Sequence, residues 1–133
     1  MIEVGTEKRW TDFSGVRMQV YPTQYWFTSQ TEPSMSEVFL TSNEVGEKTT
    51  IFSADGNKTR LPEDAVGPYS LFEFRIPNPF NMPGFIAGLT EQIAALGKPV
   101  LVFSGYSRDY LFIRTVDETL VEERIKKWML TGK

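Results

Sequence analysis

From Tyr69 onward the apolar residues change their spacing repeatedly, and the order of elements this implies leaves a sheet one strand short. Tyr69 to Ile76 alternates, with Phe72, Phe74 and Ile76 on the face expected to meet a core and Leu71, Glu73 and Arg75 on the other. Pro77, Pro79 and Pro83 then forbid a helix across the next stretch. From Pro83 or Gly84, the residues Phe85, Ile86, Leu89, Ile93 and Leu96 recur at helical spacing, Gly97 suits a C-terminal cap, and Pro99 prevents continuation. Val100 to Phe103 is a short run of β-branched and aromatic type, predicted as a strand buried on both faces. Gly105 breaks that run, Tyr110 to Arg114 follows as another strand, and a last helix begins at Asp117-Glu118 with Leu120, Val121, Ile125 and Trp128 on one side.

The pattern is β-α-β-β-α, and a ferredoxin-like unit needs one more strand. An uncovered sheet edge invites wrong pairing, so another segment is expected to fill the gap. The natural donor is Val16 to Tyr21, where Val16, Met18 and Val20 alternate with Arg17 and Gln19. Pro22 is expected to end that strand, with Tyr25, Trp26 and Phe27 packing beneath a loop. Glu37 to Thr41 and Thr49 to Ser53 read as strands, and Asp55-Gly56 as a tight turn into Lys58 to Leu61. Pro62 to Pro68 is rich in turn formers and marks the best boundary. The expected organisation is therefore two halves, 1–67 and 68–133, sharing one antiparallel sheet in an α+β fold.

Several chemistries are excluded by composition. The 133 residues include no Cys and no His, which removes disulfides, thiolate nucleophiles, Ser-His-Asp triads and zinc sites built on Cys or His. Ser104 has no G-x-S-x-G elbow around it, and no Ser-x-x-Lys occurs. Glu122 and Glu123 are adjacent on a helix and point apart, so they do not form an acid-base pair. No catalysis, cofactor or metal is expected. The net charge of -3 and scattered basic residues argue against nucleic acid. The one dense cluster, Arg124, Lys126 and Lys127, suits the end of a helix. No apolar run of ~18 residues exists, so no membrane-spanning helix is expected. The first residues lack a basic stretch followed by an apolar one, and the expected location is the cytoplasm.

The segment Phe103-Ser104-Gly105-Tyr106-Ser107-Arg108-Asp109-Tyr110 is similar to a Ser-Thr-Tyr-x-x-Asp-Tyr-x-x-Val signature. Ser104, Tyr106, Asp109 and Tyr110 match it, while Gly105 replaces Thr and Ile113 stands for Val. With the strand at Tyr69 and the Pro83-Gly84 helix start, Tyr69 to Asp117 resembles an ACT domain of the CASTOR type, also found in short bacterial proteins. The resemblance implies two ACT-like halves of ferredoxin-like (βαββαβ) type and, in some members, regulatory binding of an amino acid.

Two segments would then line the site. Asn81, Met82 and Gly84 precede a helix whose free amides attract a carboxylate. Ser104, Gly105, Tyr106, Ser107 and Asp109 would offer hydroxyls and a carboxylate to an amine. Each segment also has a plainer reading, Gly84 as a tight turn and Ser104 to Asp109 as a polar turn. The competing function is an interaction or dimerisation module with no small ligand, its surface carried by aromatics, of which Trp10 stays open for that role while Trp26 is expected to pack under a loop. Sheet-edge or helix-face pairing gives either version a route to a homodimer. A polar pocket between the Gly84 loop and Asp109 would favour the ligand.

Overall fold

The computed structural model describes residues 15–29, 37–53, 61–77 and 83–131. The strands are β1 (Arg17–Thr28), β2 (Glu37–Glu44), β3 (Glu47–Ser53), β4 (Val66–Arg75), β5 (Leu101–Ser104) and β6 (Arg108–Arg114). Helix α1 (Phe85–Ala95) lies between β4 and β5. A short 3₁₀ turn, Thr115–Asp117, leads from β6 into helix α2 (Glu118–Thr131). The arm before residue 15, the Asp55-Gly56 turn, and the loop residues Asn81 and Met82 lie outside the described residues.

All paired strands are antiparallel, in the order β2-β3-β1-β4-β6-β5. The strand expected from the first half is β1, and it pairs along β4 from Arg17↔Arg75 to Phe27↔Val66. Its extent differs from expectation. Pro22 does not end β1, because it falls in the bulge between Val20 and Gln24, where no ladder hydrogen bond is required of it. Consequently Tyr25, Trp26 and Phe27 are strand residues, paired with Ser53, Phe52 and Ile51 of β3.

Both helices cover one face of the sheet. Phe72, Phe74 and Ile76 of β4 meet Phe85, Leu89 and Ile93 of α1 and Val121, Ile125 and Trp128 of α2 in a single core. Each such buried side chain contributes roughly 1.5–3 kcal/mol through lost contact with water. Gly88 is buried in α1, where a Cβ would come within 2.6 Å of the Trp128 ring, so its small size lets α2 approach. Gln92 stays satisfied by accepting a 2.9 Å hydrogen bond from Arg124 Nε. Gly97 closes α1 at φ 72, its amide bonding Ala94 O while Lys98 N bonds Ile93 O, a Schellman end.

The opposite face is covered as well, which strand alternation did not foretell. Tyr25, Ile51, Leu71 and Phe112 form a second core, with Phe39 packed against it. Phe39 of β2 touches Tyr110 and Phe112 of β6 at ring distances of 5.2 and 6.0 Å, although β3, β1 and β4 separate those strands. The sheet therefore curls far enough for β2 to reach β6. The prediction for Val100 to Phe103 needs correcting. β5 is the sheet edge, and Leu101 and Val102 are 41% and 44% exposed rather than buried on both faces.

Candidate functional site

The β-ladders place two of the expected site residues, Ser104 and Asp109, side by side at one end of the sheet. Asp109 sits opposite Phe74 on one side and Ser104 on the other, and Phe74 in turn pairs with Met18. Leu111 and Ile113 share its face of β6 and belong to the core beneath the helices, so Asp109 extends that face toward the start of α1. The contact that brings them together is Phe74 against Phe85, the first residue of α1, at 5.7 Å between ring centroids.

Asp109 is only 8% exposed, and among the described residues its carboxylate makes no hydrogen bond or ion pair. No side-chain oxygen among the described residues is both fully enclosed and unpaired, so this carboxylate opens to solvent at the sheet's end. Gly84 adopts φ 88, a left-handed conformation that favours glycine, and its carbonyl accepts the Gly88 amide at 2.9 Å. Among the described residues no side chain caps α1, and no acid occupies its first turn. The helix thus begins with amides that lack an intrahelical acceptor.

The remaining predicted residues divide. Ser104 is exposed beside Asp109. Gly105 donates to Arg108 O at 2.8 Å and closes the β5–β6 hairpin. A Cβ there would meet Arg108 O at 3.4 Å and Tyr110 at 3.6 Å, ordinary contacts, so space does not demand glycine. Tyr106 projects into solvent at 85% exposure. Ser107 accepts the Ile76 amide through its carbonyl and faces a different depression, so it is not gathered with Asp109.

That depression belongs to a cluster that sequence reasoning missed. On the sheet face away from the helices, Arg17, Arg75 and Arg108 stand directly opposite one another across β1, β4 and β6. Glu73, 1% exposed, lies one row further in. It accepts hydrogen bonds from Tyr21 Oη at 2.6 Å and Arg75 Nε at 2.8 Å, with Arg108 Nη1 at 3.6 Å. Burial pushes the Glu73 carboxyl up, but the bonds from Tyr21 and Arg75 and the charges of Arg108 and Arg75 outweigh it and hold it below its ordinary value. In return Tyr21 is pushed up to about 12, chiefly by its hydrogen bond to Glu73, with burial and the Glu73 charge adding to it. Alternation put Glu73 and Arg75 on this face. Only the register could add Arg17 and Arg108.

Among the described residues no group of three Asp, Glu, His or Cys side chains is placed to hold a metal ion, and no helix is long and apolar enough to cross a membrane.

No protein-family model matches the sequence, and no curated protein matches it. Solved structures do. A protein of unknown function from Vibrio cholerae, VC0802, described as a possible transport protein, aligns with TM-score 0.77 at 16% identity over 95% of this chain and 99% of its own. Protein Atu0741 from Agrobacterium tumefaciens aligns with TM-score 0.66 at 18% identity, covering 86% of this chain and 89% of its own. The regulatory subunit of aspartate kinase from Thermus thermophilus, in a ligand-free form, aligns with TM-score 0.59 at 10% identity, over 86% of this chain and 96% of its own. At such identities the likeness concerns the fold. It supports an ACT-like α+β fold with a curled six-stranded antiparallel sheet and two helices.

Proposed function

We propose that this chain is a non-catalytic regulatory domain of the cytoplasm that binds a small molecule, an α-amino acid being the leading class. The observation that carries the reading is Asp109, a nearly buried residue whose carboxylate has no partner among the described residues, linked to the start of α1 through Phe74, which pairs with Asp109 and packs on Phe85. A carboxylate that reaches solvent from a largely enclosed side chain and has no partner among the described residues offers an ammonium group a charged hydrogen-bond acceptor. The start of α1, where the first amides have no acceptor within the helix, suits the ligand carboxylate, and Ser104 stands opposite Asp109 across the β5–β6 ladder to add a contact. The likeness to a regulatory subunit favours the same class of role. The order β1-β4-β6-β5 supports reading residues 68–133 as a ferredoxin-like ACT unit completed by a strand from the 1–67 half. Regulation would follow from a ligand that prefers one arrangement of halves or subunits over another.

The test is a thermal-shift screen of the full chain against the twenty amino acids, repeated with Asp109→Asn. A ligand at 100 times its Kd stabilises the folded state by about 2.7 kcal/mol. For a chain of this size that raises Tm by roughly 8–12 °C. The reading requires a hit that Asp109→Asn abolishes. A flat screen sinks it.

A second reading, a dimerisation module with no ligand, is favoured by β5, a four-residue edge strand with Leu101 and Val102 exposed. Edge strands offer unpaired backbone groups to a second copy.

A further inference from the structure

We propose that the row Arg17, Arg75 and Arg108 forms a binding site for a compact oxyanion carrying two negative charges, on the sheet face opposite Asp109. Like charges directly opposite each other across strands are destabilising, and here two such pairs, Arg17↔Arg75 and Arg75↔Arg108, share one residue. Only Glu73 answers them, so three positive charges face one negative among the described residues. This occurs in a chain whose net charge is -3. Local rules that a sequence breaks without compensation are expected at functional sites.

The geometry suits a small ligand. Adjacent strands lie about 4.8 Å apart, so the outer arginines start about 10 Å from each other, and their long side chains can converge on one group. Glu73 takes the Nε of Arg75, and the terminal nitrogens of that guanidinium make no hydrogen bond among the described residues. Arg17 has no ion pair or hydrogen bond there at all, and Arg108 reaches Glu73 only at 3.6 Å. The guanidinium fork matches carboxylate and phosphate oxygens two at a time. A depression of ≈ 420 Å³ opens over the three arginines with Ser107 at its margin, and a second of ≈ 370 Å³ adjoins it over Arg17, Glu73 and Arg75. Glu73, held ionised by Tyr21 and Arg75, anchors the central guanidinium and leaves two charges in excess.

Calorimetric titration of the full chain with inorganic phosphate and with succinate, at ionic strength fixed by sodium chloride, tests this. At least one should bind saturably. Arg17→Gln and Arg108→Gln should each weaken binding about tenfold or more, the scale of a hydrogen bond to a charged group. Both leave the Glu73–Arg75 pair intact. Lys127→Gln removes the same charge from α2 and should leave binding within about twofold, the small change a single distant, salt-screened charge makes. Phosphate alone binding identifies a phosphoryl ligand, succinate alone a dicarboxylate, and both outcomes uphold the oxyanion site. No binding by either anion overturns it, as does equal loss in Lys127→Gln and the two arginine variants. Asp109→Asn should leave oxyanion affinity unchanged, which separates this site from the amino-acid site and lets either fail alone.

Discussion

Gly88→Ala sets two effects against each other, and the packing of α2 decides the sign. Alanine favours a helix over glycine by about 0.8–1 kcal/mol. The added Cβ, however, would lie 2.6 Å from Cζ2 and 3.3 Å from Cη2 of Trp128. Carbon atoms prefer about 3.5–4.0 Å, so something must move by about 1 Å. The indole has little room to yield, being 4% exposed and packed on Phe85 at 6.1 Å. Overpacking of this kind costs about 1–3 kcal/mol, and a rigid ring puts it toward the upper end. The net expectation is a loss of about 1–2 kcal/mol, or a Tm lower by roughly 3–8 °C. Trp128→Phe removes the colliding ring, and on that background Gly88→Ala should stabilise by up to about 1 kcal/mol. Urea unfolding of the four proteins gives the coupling directly. A Gly88→Ala that stabilises the parent chain, or has equal effects on both backgrounds, would refute the helix packing described above.

Two further outcomes follow from the sheet. Glu73 is depressed in the fold, so its stabilisation is present above the unfolded carboxyl value of about 4.3 and is lost as pH falls through the lower folded value. Glu73→Gln should therefore flatten the acid limb of Tm against pH, and bring the Tyr21 phenol, read by ultraviolet titration, down from about 12. An unchanged acid limb would show that Glu73 is not held ionised as described. At the edge, Val102→Lys should convert any homodimer to monomer in sedimentation if β5 pairs two copies, whereas a dimer that survives it uses another surface.

The elements that sequence revealed are those governed by local periodicity. The β-α-β-β-α order, the Gly97 helix end and the need for a donated strand all rest on spacing and turn chemistry within a few residues. What it concealed depends on pairing between distant segments. Pro22 fits inside β1 only because a bulge removes its partner on β4. Leu71 is buried opposite Phe72 because the sheet curls and carries Phe39 over to β6. β5 has a core composition but an edge position, and strand order alone decides its exposure. Of the residues that the resemblance implies for the site, Asp109 and Ser104 stand side by side, while Ser107 turns to the other depression. The arginine row joins residues 17, 75 and 108, whose separation in sequence hides them until the register is known.

The central claim is that Asp109 and the start of α1 together hold an amino acid. Amide chemical-shift mapping of the ¹⁵N-labelled chain, titrated with pools of amino acids, tests it most directly. The account predicts saturable shifts concentrated at Phe85, Ile86, Ser104 and Asp109. Spectra that stay unmoved by every pool, or shifts confined to the β5 edge, would contradict it.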